Sequence, residues 1–360
     1  MIRSKKKLRF APPASDAPQK PVDLAPLLNA SLQRTNDSAE PNLHPLAFRL
    51  RNLDAMALNL KFFGYELAKA LAASLPPRTG LQPTPVGLRC KSSTQADMES
   101  DWVAYWLSEL KVPVVFHRKL WEFAYMLQAL WEHGLLEPGK RGLGFGCGTE
   151  PLPSYLASRG IDVTVTDLAP EASADLGWST TNQHTATLEH AFKEELVSRG
   201  EFDRHVALTY VDMNAIPAHL RNYDFCWSIC ALEHLGSIAK GLDFVVNSLE
   251  TLKPGGVAIH TTEFNFTSET ETIDNWPTVL FQRQHFIALA ERLRALGHEV
   301  AELDFAVGDK PMDRFIDLPP WDHDMNDYMR TNWGAGHVHL KLSIDGFPST
   351  CFGLVIRKLA

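Results

Sequence analysis

The 360-residue chain lacks several features that would place it at once. It has no surplus of positive charge. The net charge is −8, so no general attraction to nucleic acid or to an anionic membrane is expected. It has no C-x-x-C pair, and its five cysteines (Cys90, Cys147, Cys226, Cys230 and Cys351) are an odd number, which does not suggest a disulfide framework. Buried thiols in a reducing cytoplasm are the expectation. No run of about 18 apolar residues is present, so no membrane insertion is expected. The basic opening "MIRSKKKLRF" leads into "APPASDAPQKP" rather than an apolar stretch, which speaks against a secretory signal. There is no internal repeat. What is present is ordinary for a soluble globular protein: 45% hydrophobic and 22% charged residues.

Periodicity divides the chain into three parts. Residues 1–40 are rich in Pro, Ala, Ser, Asn and Asp and read as a flexible tail, with one short helix around Leu24–Leu32. Residues 41–135 read as a helical cap region. Apolar residues from Leu46 to Leu67 recur at helical spacings until Pro76-Pro77, residues 78–97 read as loop, and an aromatic-rich helical stretch runs from Trp102 to Trp131. Those aromatics fit a layer packed on a sheet or the walls of a pocket. From residue 136 to 360, strand and helix signals alternate. Strands are expected at 141–146, "IDVTVTD", "HVALTYVD", "YDFCWSIC", "GGVAIHTTEF" and "HEVAELDF"; helices at Leu152–Ser158, around Thr187–Ser198, Leu242–Leu252 and Val279–Leu296. Such alternation implies an α/β fold, doubly wound, with a mostly parallel sheet and helices on both faces. The end, "HVHLKLSIDGFPSTCFGLVIRK", reads as a hairpin around Asp345-Gly346 that adds an antiparallel edge.

The stretch "GLGFGCGTE" (142–150) follows the first of those strands with four glycines. A turn this bare lets a ligand lie against the main chain, at the carboxyl end of the strands where ligands collect. The dinucleotide fingerprint G-x-G-x-x-G fails in both frames, because its sixth position falls on Thr149 or Pro151. No phosphate loop of the G-x-x-x-x-G-K-[ST] type is present. Instead "GFGCGTE", Asp167 at the end of the second strand, Asp212 in "YVDMNAIP", "YDFCWSICALEH" and "LKPGG" stand in order over about 120 residues.

Together they resemble the class I S-adenosylmethionine-dependent methyltransferases. The resemblance implies a seven-stranded Rossmann-like methyltransferase sheet with a helical N-terminal extension, and S-adenosyl-L-methionine as cofactor. It implies cofactor contacts at Gly144, Phe145, Gly146, Gly148 and Glu150 in the turn, at Asp167 and Leu168, at Asp212 and Met213, and at Ser228. A carboxylate such as Asp167 suits a ribose diol because it accepts two hydrogen bonds. The sequence departs from the family in two places. The acid usual near the end of the first strand is replaced by Gly144, and the last glycine of the turn by Glu150. Glu150 is the expected substitute for the missing acid, facing the cofactor's ammonium; the alternative is a carboxylate complementing a helix N-terminus.

On the acceptor side, "LEHLGS" places Glu233 and His234 after the fourth strand, where His234 is a candidate base near neutral pH. A similar E-H pair occurs in cyclopropane fatty acid synthases, so a lipid carbon acceptor stays open. "IHTTEFNF" gives the fifth strand a polar exit with Glu263 as a further candidate. Such a cluster suits a polyhydroxylated acceptor or satisfies local backbone. His337 and His339 with Asp313 or Asp317 have no recognised metal-ligand spacing, and no metal is expected. The expected function is O-methylation of a small-molecule or glycan acceptor. The alternatives are a lipid-modifying enzyme, a non-catalytic cofactor-binding module, a nucleic-acid or protein methyltransferase, and a nicotinamide oxidoreductase.

Overall fold

A computed structural model describes residues 44–169, 188–321, 324–334 and 339–359. The expected tail and its short helix, and His337, lie outside the described residues. The chain divides into two units, Met1–Met56 and Ala57–Ala360, and the second holds the sheet. Helix α1 (His44–Ala73) ends before Pro76-Pro77, as proline dictates.

The second unit is organised by strands whose alternate residues feed two cores. Strands β2 (Arg141–Phe145), β3 (Asp162–Asp167), β4 (Val206–Tyr210), β5 (Tyr223–Ile229), β6 (Leu252–Asn265), β7 (Glu299–Val300) and β10 (Phe347–Arg357) form a sheet in the order β4-β3-β2-β5-β6-β10-β7. β2 to β6 pair in parallel, and β10 runs antiparallel to both β6 and β7. Phe225, Trp227, Val257, Ile259 and Val355 point to one face. They pack there with helices α2 (Asp101–Glu109), α3 (Arg118–Glu132), α4 (Leu152–Ser158) and α5 (Arg199–His205). Leu143, Phe145, Cys226, Ala258, Leu354 and Ile356 point to the other, against α6 (Ile238–Ser248) and α7 (Arg283–Ala295). This is the period-2 rule of strands. The order and the antiparallel β10 are those of the Rossmann-like methyltransferase sheet. The aromatics Trp106, Phe116, Trp121 and Tyr125 are fully buried in the first core. Among the described residues no helix is long and apolar enough to cross a membrane.

The C-terminal hairpin is formed as expected. β9 (Lys341–Ile344) folds back on the start of β10 through Asp345-Gly346, both with positive φ. Four expectations change. The stretch 187–198 is not an α-helix: among its described residues it holds a 3₁₀ turn at Leu188–His190, and the helix starts only after Ser198, whose side chain accepts from Glu201 N. α7 begins at Arg283 rather than Val279, because Phe281 is extended and bonded to β6 through Glu263 O and Asn265 N. "HEVAELDF" breaks into β7 and β8 (Leu303–Asp304), which pair with different partners. The loop at 78–97 contains β1 (Cys90–Lys91), the partner of β8, and a short helix at Gln95–Met98 capped by Thr94.

Candidate active site

Three neighbouring strand ends build the first half of the site. β2, β3 and β4 stop at Phe145, Asp167 and Tyr210 on the same edge of the sheet. Past β2 the chain turns through Gly146 (φ +59°) and Gly148 (φ +54°), the left-handed region that favours glycine. A Cβ on Gly146 would lie 2.9 Å from Ala231 Cβ and 3.5 Å from Met213 Sδ, so the turn, the β5 exit and the loop after β4 crowd together there. Cys147 N donates to Thr166 O at 3.2 Å, and Val211 N to Asp167 O at 2.9 Å. Asp167 is nearly buried and its Oδ1 accepts from Leu168 N at 2.8 Å. Asp212 is exposed, accepting from Asn214 N at 2.8 Å, while Met213 beside it is buried. The bare bend and both carboxylates therefore occupy one edge.

Gly144 is a packing residue. A Cβ there would lie 2.4 Å from Trp227 Cζ2 and 2.3 Å from Cys147 Sγ, because the Trp227 indole lies across β2 from the facing position of β5. An acid cannot occupy position 144 in this core. The next acid along the chain is Glu150, at the end of the same turn. Glu150 is buried; among the described residues neither carboxylate oxygen makes a well-formed hydrogen bond, and the Trp227 indole and Cys147 thiol are the donors that approach it. Trp227 Nε1, buried beside it, likewise makes no well-formed hydrogen bond among the described residues. Burial pushes the Glu150 carboxyl up to about 8, against the opposing effects of Lys119 and the Trp227 indole. Buried polar atoms without well-formed hydrogen bonds are rare, and here an acceptor and a donor stand together beside the glycine turn. Phe145 points into the second core, edge-on to Phe244 at 5.1 Å. Ser228 is fully buried, and its hydroxyl bonds His260 Nδ1 at 2.8 Å.

The second half stands over β5, β6 and β10. Cys230 leaves β5 with φ +47° and is followed by a 3₁₀ turn at Leu232–His234. Glu233 is buried and accepts from Thr262 Oγ1 at 3.0 Å. His234 Nδ1 lies 3.1 Å from Pro277 O, which only accepts, so Nδ1 carries the hydrogen. Burial holds this imidazole below its ordinary value and hence neutral at pH 7. Glu263, also buried, pairs with Arg118 and accepts from Ser349 Oγ at 2.7 Å. The polar exit of β6 is largely occupied internally. His260 sits between Ser228 and Ser248, and Asn265 closes its own loop through Glu271 O, Thr267 N and Ser268 N. Of the two readings of that exit, local satisfaction describes His260 and Asn265.

Several residues here carry no sequence signal of their own. The first turn of α3 brings Arg118 to Glu263 and Lys119 Nζ to Ile229 O at 3.3 Å. Glu122 accepts from Thr261 Oγ1 at 2.6 Å and from the Cys351 thiol at 2.8 Å, and Cys351 Sγ lies 3.4 Å from Cys230 Sγ. Ligating atoms of Glu122, Cys230 and Cys351, and of Cys230, Glu233 and Glu263, lie within 4.8 Å of one another. Arg118 and Lys119 supply the positive charge beside these acids. Trp227 had one readable clue: it faces a strand whose residues on that side are Gly142 and Gly144.

A family model described as a methyltransferase domain matches residues 120–308. No curated protein matches the chain. Among solved structures, the chain is similar to the [4+2]-cyclase SpnF at 19% identity, over 78% of this chain and 99% of that one, with a TM-score of 0.41. It is similar to phosphoethanolamine N-methyltransferase 2 of Haemonchus contortus, solved with S-adenosyl-L-methionine, at 15% identity over 65% of this chain and 52% of that one (TM-score 0.40). The N-methyltransferase NodS of Bradyrhizobium japonicum WM9, in complex with S-adenosyl-L-homocysteine, is 13% identical over 64% of this chain and 87% of that one (TM-score 0.36). The family match covers more than half of the 360 residues and coincides with the strands and turns described above. The chain belongs to the class I S-adenosylmethionine-dependent methyltransferases, with S-adenosylmethionine as its cofactor.

Proposed function

We propose that this chain methylates a hydroxyl of a small polar acceptor, and that Glu150 replaces the acid its family carries on the first strand. The observation behind this reading is the buried Glu150 carboxyl beside the glycine turn, which the Trp227 indole and Cys147 thiol approach without a well-formed hydrogen bond. Glu150 would hold the ammonium of the cofactor, Asp167 its ribose diol, and Asp212 with Met213 its adenine. The backbone of Gly146 and Gly148 would leave room for its chain. Bound there, S-adenosylmethionine supplies a methyl group activated by its positive sulfur.

Glu233, His234 and Glu263 would line the acceptor side. Glu233 and Glu263 are fixed by Thr262, Arg118 and Ser349, which suits positioning rather than proton transfer. A neutral imidazole with a defined tautomer is a competent base for a hydroxyl proton. The glycan form of the acceptor rests on the polar exit of β6, and the internal bonding of His260 and Asn265 takes support away from it.

Calorimetry with S-adenosylhomocysteine tests the donor half: the wild type binds, and Glu150→Gln binds at least about tenfold more weakly. Wild-type binding left unchanged in Glu150→Gln would remove Glu150 from the site. A panel of hydroxyl, carboxyl and amine acceptors with tritiated S-adenosylmethionine tests the acceptor half. Turnover confined to amines would overturn the hydroxyl assignment, and binding without any turnover would favour a cofactor-binding module.

A further inference from the structure

A second polar centre is assembled from residues outside the stretch that the family model matches. At its heart is Asp317, fully buried. Its Oδ1 accepts from Lys61 Nζ at 2.7 Å and from Leu318 N at 3.0 Å. Its Oδ2 accepts from Tyr65 Oη at 3.0 Å and from His339 Nδ1 at 2.6 Å. A carboxylate offers about four lone-pair sites, and all are filled. Lys61 is buried too, its ammonium 4.7 Å from the centre of the Trp321 ring. Lys61 and Asp317 therefore cancel in charge, and Asp317 is held ionised by His339 and Lys61 against its burial.

This arrangement orients one imidazole. A carboxylate can only accept, so His339 Nδ1 carries the hydrogen and Nε2 presents its lone pair. Among the described residues Nε2 has no hydrogen-bond partner, and the side chain is 22% exposed. The ring is gripped edge-on by Trp321 at 4.9 Å and face-on by His117 at 5.5 Å. Burial keeps it below the ordinary histidine value; Asp317 opposes that effect, while Arg118 and Lys61 add to it. His339 also belongs to the acceptor side. Its carbonyl accepts from Arg118 N at 3.1 Å, and the Arg118 side chain reaches Glu263 at the exit of β6.

We propose that His339 is the general base of the reaction and Asp317 its positioning residue. The proposal rests on the methyl-transfer reading and moves the role of base from the imidazole of His234 to that of His339. The acceptor oxygen bonds the methyl carbon as the carbon–sulfur bond breaks, its electron pair remaining on sulfur, and the acceptor's proton passes to His339 Nε2. Solvent then takes that proton. The yield is methylated acceptor, S-adenosylhomocysteine and one proton. His234, with its Nδ1 bound to a backbone carbonyl, shapes the acceptor loop. The competing account is that Asp317 serves only to neutralise Lys61, with His339 as packing.

Two measurements separate these accounts. Nitrogen NMR of the full chain labelled at histidine, with the His339 signal identified by its loss in His339→Gln, reads the tautomer. The wild type should show hydrogen on Nδ1, and the unusual tautomer should disappear in Asp317→Asn and in the charge-balanced Lys61→Met/Asp317→Asn. Hydrogen on Nε2 in the wild type overturns the proposal without any turnover assay. With the acceptor that the panel returns, His339→Gln should lower kcat about a hundredfold, flatten the acid limb of the kcat/KM profile, and leave S-adenosylhomocysteine affinity within about twofold. Turnover within about threefold of wild type, or an acid limb that persists, sinks His339 as base. Failure of the wild type to bind S-adenosylhomocysteine would instead sink the donor reading.

Discussion

The two halves of the carboxyl edge treat their polar groups in opposite ways. Over β2, β3 and β4, valence is left open: among the described residues neither the Glu150 carboxyl nor the Trp227 N–H packed across β2 makes a well-formed hydrogen bond, and Asp212 faces solvent. Over β5, β6 and β10 the acids are satisfied from within. Glu263 has Arg118 and Ser349, Glu233 has Thr262, Glu122 has Thr261 and Cys351, and Asp317 has four donors. On the proposed function, the difference follows from what each half would do. A cofactor site keeps unmatched groups because the ligand will match them, and the protein carries their desolvation until it binds. An acceptor site that holds reacting groups in one geometry gains from charges locked to one another, with a single lone pair presented outward.

Disturbing each half should give distinct symptoms. The largest effect is expected on the satisfied side. Lys61→Met leaves Asp317 without its buried cation and should reduce stability by about 3 to 5 kcal/mol, read by urea unfolding. Removing both charges in Lys61→Met/Asp317→Asn should recover a good part of that loss. A double variant no better than the single one would mean that charge is not what holds the cluster.

The open side should answer in binding. Glu150→Ala should weaken S-adenosylhomocysteine by about 1.5 to 3 kcal/mol, read by calorimetry. Its pH dependence has a definite sign. The Glu150 carboxyl is raised to about 8 in the folded protein, so below that pH it is protonated and must lose a proton to meet an ammonium. Affinity should therefore rise with pH up to about 8, with protons released on binding, and Glu150→Gln should abolish the release. Stability of the ligand-free protein should move the other way. The folded state holds a proton that the unfolded state has lost, so stability falls as pH rises from 4.5 towards about 8. Absence of both trends in thermal melts and calorimetry would mean that Glu150 is already paired.

Smaller effects follow. Gly144→Ala forces a methyl against Trp227 and Cys147 and should cost about 1 to 3 kcal/mol in chemical unfolding, with relief in Gly144→Ala/Trp227→Leu. Asp212→Asn, at an exposed position, should change S-adenosylhomocysteine affinity by less than about 1 kcal/mol. A large loss there would show that Asp212 becomes desolvated in the complex.

Legibility in the sequence follows the same division. The strands, the glycine turn and the carboxylates at 167 and 212 are readable because each is a local pattern: alternation along a strand, bare positions in a turn, an acid at a strand end. Where the structure departs from these patterns, local competition is again the cause. Residues around 187–198 carry apolar spacing yet no helix start before Ser198, and Val279–Phe281 prefer a bond to β6 over another turn of helix. The Glu150 substitution could be suspected from "GCGTE", but its cause could not, since Trp227 lies 83 residues away from Gly144 along the chain and meets it only through the pairing of β2 with β5.

The acceptor half was mostly out of reach. Lys61 and Asp317 are separated by 256 residues, and Glu263 and Ser349 by 86. Each of these residues, read alone, is an ordinary polar side chain. The sequence by itself determined the order of strands and helices, the glycine turn and the carboxylates beside it, because periodicity and turn chemistry act between near neighbours. Only the tertiary structure decided which acid stays unpaired, which lysine meets Asp317 and which imidazole is oriented. Burial and hydrogen-bond pairing are properties of space, fixed when distant segments close over the same edge of the sheet.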